Sequence, residues 1–192
     1  MAALALFTRI VMEPFGTITD QWQQIIIFIA ILSMLVGSLG AIKQTNIKRL
    51  IAYSSIGHVG YMLVAIAAAN ESGIKAILVY MSIYAVMSVG LFACILMLKG
   101  KKGFSEDIYS LAGLSRNRPL LAIAISIIMF SMAGIPPFTG FLGKFLVFAS
   151  AVESNLMFLA VIGVLSSVIA AFYYLRVVKI CLLYTSDAAD ES

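Results

Sequence analysis

Long uninterrupted apolar runs set the pattern of this chain, with polar residues gathered into short intervals between them. The runs are Ile25–Ile42, Leu50–Ala69, Ala76–Leu98, Leu120–Val152 and Leu156–Tyr174. A hydrocarbon core of about 30 Å is crossed by about 20 helical residues, which these runs meet or exceed. A shorter run, Ala2–Met12, cannot span and reads as the stub of a helix. It lacks the basic leader and small-residue cleavage site of a signal peptide. No run alternates with period two, so β-barrel strands are excluded. The pattern predicts an all-α polytopic membrane protein, with a partial first helix followed by about five transmembrane helices.

The stretch Leu120–Val152 is too long for one straight crossing, since about 33 helical residues reach about 50 Å. Two full crossings would need a polar hairpin. Its middle reads Ala133-Gly-Ile-Pro-Pro-Phe-Thr-Gly140 instead. Pro136 and Pro137 donate no backbone hydrogen bond, while Gly134 and Gly140 permit non-helical dihedrals. Two readings fit: one span broken at Gly134–Pro137, or a tight extramembrane turn between two short helices. Charge parity and length favour the broken span. Broken helices at membrane depth line ion and substrate sites in transporters.

Charge supplies the orientation. Lys43, Lys48, Arg49, Lys99, Lys101, Lys102, Arg116, Arg118, Arg176 and Lys179 fall on one side if the broken stretch crosses once. The opposite connections hold Lys75 with Glu13, Asp20, Glu71 and Glu153. The positive-inside rule places the basic side in the cytoplasm or its organellar equivalent. Composition agrees: 62% of residues are hydrophobic and 11% charged, against about 45–50% and about 25% in a soluble domain. A soluble globule, a disordered tail and a coiled coil are excluded. The two cysteines, Cys94 and Cys181, are far apart, which leaves a disulfide framework, a zinc site and an iron–sulfur cluster unsupported. No glycine-rich phosphate loop is present. No cofactor, metal, nucleic acid or soluble small-molecule substrate is expected on this chain.

One ionisable residue stands out. Lys144 follows the break by one turn, in Phe141-Leu-Gly-Lys-Phe-Leu-Val-Phe148, nine residues before Glu153. A helical side chain leans towards its own N-terminus, which points Lys144 back to the break and not to the near interface. A lysine at a helix centre costs roughly 2.5–3.5 kcal/mol on insertion scales, and burial favours its neutral form. Proton transfer is the leading reading, with snorkelling or a salt bridge to another chain as the competitors. His58, within Leu50–Ala69, is the second candidate for proton transfer; a packed, hydrogen-bonded histidine is the plainer alternative. Ser54 lies four residues before it on the same face. Tyr80 and Tyr84, at i and i+4, offer hydroxyls to a hydrated path or simply a packed aromatic face.

Two motifs then connect the chain to a known family. Gln44-Thr-Asn-Ile-Lys-Arg-Leu-Ile-Ala-Tyr-Ser-Ser-Ile-Gly-His-Val-Gly-Tyr61 and Ser131-Met-Ala-Gly-Ile-Pro-Pro-Phe-Thr-Gly-Phe-Leu-Gly-Lys-Phe145 resemble the antiporter-like membrane subunits of respiratory complex I, NADH–quinone oxidoreductase. Ala171-Phe-Tyr-Tyr-Leu-Arg-Val-Val-Lys179 fits as well. The N type (subunit 2 in mitochondria) is the nearest branch, because the M type usually carries Glu at the position of Lys144 and Asp at that of Asn46.

The resemblance covers residues 1–180 and implies the C-terminal part of a larger subunit with inverted five-helix repeats. The second repeat would be complete here, its fourth helix the broken one. A family lysine would fall just before Met1, making Met1 an internal residue. Lys144 would be the proton-transferring lysine after the break. NADH, FMN, iron–sulfur clusters and quinone would bind partner subunits of a hetero-oligomer in an energy-transducing membrane, bacterial plasma membrane first and mitochondrial inner membrane second. The rival readings are a subunit of an Mrp-type cation/proton antiporter and a non-transporting membrane scaffold. The end of the chain departs from the family: Cys181-Leu-Leu-Tyr-Thr-Ser-Asp-Ala-Ala-Asp-Glu191 reads as a translated sequencing adapter. Residues 181–192 are therefore expected to be an artefact tail, and removing them raises the net charge from +4 to +7.

Overall fold

The computed structural model describes residues 2–98 and 105–184. Among them, helices α1 (Ala2–Met12), α2 (Thr19–Ile42), α3 (Ile47–Ala67), α4 (Glu71–Met97), α5 (Leu114–Asn117), α6 (Pro119–Ala133), α7 (Thr139–Glu153) and α8 (Met157–Leu183) follow in order. Helices α2, α3, α4 and α8 are each long and apolar enough to cross a membrane. The bundle is apolar outside as well as inside: Phe28, Val86, Leu120 and Phe158 are exposed, while His58 and Lys144 are buried. That inversion suits a lipid solvent and no other.

Helix ends extend beyond the apolar runs, and their polar side chains explain why. Helix α2 begins at Thr19 and not Ile25; Trp22 Nε1 donates to Phe15 O at 2.9 Å and Gln23 Nε2 to Ala67 O at 2.7 Å. Asn46 caps α3 by accepting from the amides of Lys48 and Arg49, and Asn70 caps α4 by accepting from Gly73 N, each satisfying amides that no helical carbonyl can reach. Helix α6 opens on Pro119, whose missing N–H is no loss at that position. Helices α2 and α3 pack backbone to backbone: a Cβ on Gly60 would lie 2.9 Å from Met34 N, so only glycine admits this approach.

The broken stretch crosses once. At one end Arg118 Nη1 donates to Met97 O, the last residue of α4, at 2.7 Å. At the other, Ser154 meets the start of α4 by accepting from Asn70 Nδ2 at 2.8 Å, and it donates to Ala68 O. Helices α6 and α7 therefore run in series along α4, whose 27 residues measure about 40 Å. The turn-between-short-helices alternative is thereby set aside.

The same contacts sort the charges. Glu106 O accepts from Ile47 N at 2.7 Å, Thr45 O from Ile108 N at 2.7 Å, and Arg176 donates to Ile42 O and Gln44 O. Lys43, Lys48, Arg49, Arg116, Arg118, Arg176 and Lys179 thus gather at one end of the bundle. Lys99, Lys101 and Lys102 lie outside the described residues. So does most of the expected tail; helix α8 itself continues to Leu183, and Gly113 N donates to Tyr184 O.

Candidate functional site

The break is built by a helix ending that only glycine allows. Gly134 takes φ +82°, and its N–H bonds to Phe130 O and Ser131 O while Ile135 N also bonds to Phe130 O, a left-handed cap that satisfies two of the last carbonyls of α6 and leaves that of Ala133 to another donor. The peptide between Pro136 and Pro137 is cis. Helix α7 then starts against α6: Gly140 N donates to Ser131 Oγ at 3.0 Å, and the two elements touch so closely that a Cβ on Gly140 would collide with Ser131 O. Phe130 and Phe138 stack across the gap with centroids 5.7 Å apart.

Lys144 reaches back across this junction. Its Nζ donates to Ala133 O at 2.9 Å and to Ser167 Oγ of α8 at 2.8 Å, and it stands 5.1 Å from the centre of the Tyr61 ring. Ala133 is the last residue of α6, so the carbonyl end of that helix dipole faces the amine. The ion pairs of the described residues are Arg9–Glu13, Lys48–Glu106 and Lys75–Glu71; Lys144 is in none of them. An amine without its third proton still has two N–H bonds, one for each acceptor. The site therefore holds Lys144 in place whether or not that proton is present. Lys144 also lines a groove of about 760 Å³ between α7 and α8, walled by Phe145, Phe148, Val164 and Val168 and ending near Glu153.

His58 sits on α3 with both ring nitrogens bonded to phenols. Nδ1 pairs with Tyr80 OH at 2.8 Å, Nε2 with Tyr174 OH at 2.9 Å, and Tyr174 OH with Ser54 Oγ at 2.6 Å. Tyr84 stacks on the imidazole at 4.6 Å and donates to Ser55 Oγ, which donates onward to Ile51 O. Tyr61 OH pairs with Ser166 Oγ, which is spent on Met34 O. Four of the residues singled out from the sequence (Ser54, His58, Tyr80 and Tyr84) form one cluster. Lys144 and the break residues form a second, and Tyr61 lies between them, its ring 5.9 Å from that of His58.

Three participants escape a reading by charge: Tyr61, Ser167 and Tyr174. The signal that finds the α8 face is its small and hydroxylated stripe, Gly163, Ser166, Ala170 and Tyr173, which turns inward at helical spacing and is buried throughout. Among the described residues no group of three His, Cys, Asp or Glu could hold a metal.

A family model described as NADH:quinone oxidoreductase/Mrp antiporter, TM, matches residues 1–170. The chain belongs to this family. It is 57% identical over 190 residues to NADH-quinone oxidoreductase subunit N of Rhodospirillum rubrum, covering 99% of this chain and 39% of that protein. To the protein of the same name from Pelagibacter ubique it is 50% identical over 180 residues, covering 94% and 38%. The chain thus spans about two fifths of the length of these relatives. Among solved structures, a chain of respiratory complex I from Thermus thermophilus with bound Aureothin superposes with a TM-score of 0.72 at 33% identity, over 85% of this chain and 37% of that one. A chain of the Mrp complex from Dietzia superposes at 0.86 and 25% identity, over 94% and 34%. Backbone shape does not tell a complex I chain from an Mrp chain here.

Proposed function

We propose that this chain is part of the N-type membrane subunit of a bacterial proton-translocating NADH–quinone oxidoreductase, and that Lys144 carries the proton. The observation that carries the reading is a buried lysine, held at a helix break by a carbonyl and a hydroxyl and in no ion pair among the described residues. A buried charge without a counter-charge is costly to keep, and a site that holds the amine with two of its three protons suits one that loads and unloads. Identities of 50–57% to relatives named as subunit N support the branch. Redox chemistry belongs in this reading to partner subunits, which would hold NADH, FMN, iron–sulfur clusters and quinone. The assembly would lie in the bacterial plasma membrane, with the basic end of the bundle facing the cytoplasm. Residues 181–192 stand apart as adapter-derived; sequencing the locus past Ile180 should return another apolar span in their place.

The test is Lys144→Ala in the full-length subunit, assembled in its complex. Coupled proton yield should fall while electron transfer by the redox module survives uncoupled. Wild-type turnover and proton yield would end the assignment and leave the scaffold reading. The Mrp-type antiporter reading draws on the TM-score of 0.86. Sodium-driven proton flux in vesicles lacking NADH and quinone would favour it.

A further inference from the structure

The hydrogen bonds around the site fall into two kinds. Those of Tyr84 and Tyr61 end on backbone carbonyls, through Ser55 to Ile51 O and through Ser166 to Met34 O. A carbonyl only accepts, so these chains point one way permanently. The series Ser54–Tyr174–His58–Tyr80 is different. Each of its three links can run in either direction, since the two hydroxyls of Ser54 and Tyr174 can exchange roles and the imidazole can carry its proton on either nitrogen. Neither end is tied to a carbonyl, and all four residues are buried.

We infer that Ser54, Tyr174, His58 and Tyr80 form a reversible proton wire joining Lys144 to the basic end of the bundle, its polarity set by which nitrogen of His58 bears hydrogen. This rests on the proposed role of Lys144 and adds the route and the side. The side follows from position along α3. Ser54 lies seven residues inside Ile47, about 10 Å from the basic end, and His58 about 16 Å. Tyr80 continues inward and packs on Gly143, the neighbour of Lys144: a Cβ there would lie 2.9 Å from Tyr80 Cδ2.

The proton count closes. In the loading state Ser54 donates to Tyr174, Tyr174 to Nε2, and Nδ1–H to Tyr80, whose own O–H points towards Lys144. A proton arriving at Ser54 from the basic side displaces one proton at each member, and Tyr80 releases one, through a bridging water, to the free amine of Lys144. Every bond then points the other way, and hydrogen has moved from Nδ1 to Nε2. The next proton waits until the hydroxyls rotate and the imidazole returns to its first tautomer. Tyr174 is the pivotal member, because it alone joins His58 to Ser54.

The experiment uses the full-length subunit in its assembled complex, reconstituted so that proton uptake on the basic side is followed with a surface-attached pH dye. Tyr174→Phe keeps the ring and removes the link; uptake assigned to Lys144 should slow about a hundredfold, the lower end of what a positioned acid–base group contributes. The solvent deuterium isotope effect should change with it, which a merely structural role would not produce. Ser54→Ala, which leaves the Tyr174–His58 bond in place, should slow uptake less. Lys144→Ala is measured in parallel. If Lys144→Ala abolishes this uptake while Tyr174→Phe and Ser54→Ala, both assembled at normal levels, retain wild-type rates and isotope effects, the wire is wrong and the role of Lys144 stands. If Lys144→Ala also pumps normally, the underlying reading has failed. Should Tyr174→Phe not assemble, Ser54→Ala at wild-type rate is enough to overturn the route.

Discussion

Two lysines of this chain are treated in opposite ways. Lys48 stands at the basic end with its side chain 55% exposed, 2.5 Å from Glu106 Oε1. Lys144 is 4% exposed and, among the described residues, in no ion pair, held by Ala133 O, Ser167 Oγ and the face of Tyr61. Water could have stabilised the first without help, yet it has a carboxylate; the second needs a counter-charge and has neutral groups. Ion pairing therefore does not track need. Exposed pairs contribute little to stability, and a buried amine without a counter-charge is a standing cost, which supports the proposed proton-carrying role of Lys144 over an architectural one.

The sharpest way to break that contrast is Lys144→Met. If Lys144 were architectural, losing its two hydrogen bonds would destabilise the bundle. If it is kept for proton transfer, an apolar side chain of similar length removes a buried charge, and the thermal midpoint of the purified assembly should hold or rise. Coupled proton yield should still be lost. A midpoint several degrees lower would make Lys144 a structural residue.

Lys144 was legible in the sequence because charge inside an apolar run is rare, and the break was legible because paired prolines flanked by glycines cannot continue a helix. The helix ends were less so. Polar starts such as Asp20–Gln24 look like loop until Gln23 finds Ala67 O and Trp22 finds Phe15 O, partners that exist only after packing. Tyr174 was hidden for a related reason. A tyrosine at the end of an apolar span reads as an interfacial anchor, and only the arrival of α3 beside α8 turns its hydroxyl towards Ser54 and His58.

Gly134→Ala comes next in size. It puts a side chain at φ +82° and a Cβ 2.9 Å from Lys144 Cδ. The backbone term alone is about 1–2 kcal/mol, and the amine must move away from Ala133 O as well. Both the thermal midpoint and the proton yield should drop, which separates this variant from Lys144→Met. An unchanged yield would mean that Lys144 does not depend on the end of α6.

Asn70→Ala tests the far end of the same span without touching either lysine. Asn70 caps α4 and donates to Ser154 Oγ at 2.8 Å. Removing it should cost about 1–2 kcal/mol, seen as a lower midpoint with proton yield per electron pair unchanged. A lost yield would show that fixing the end of α7 matters as much as fixing its beginning.

The smallest effect belongs to Lys48 and Glu106. Hydrogen bonds from Lys48 and Asn46 hold the Glu106 carboxyl below its usual range. A depressed carboxylate pKa favours the folded state above the unfolded value of about 4.3, and that contribution is lost as pH falls through the folded value. At neutral pH, Glu106→Gln should therefore leave proton yield alone and shift the midpoint little. Its mark should appear on acidification: protection from hydrogen exchange at Ile47 and Ile108, whose amides bind the 105–108 segment to the start of α3, should fall in the native protein as Glu106 takes up its proton. In Glu106→Gln that protection should be lower from the outset and the same at every pH. If the two proteins instead exchange alike at every pH, the backbone bonds alone hold this end, and the ion pair of Lys48 contributes nothing that water does not already supply.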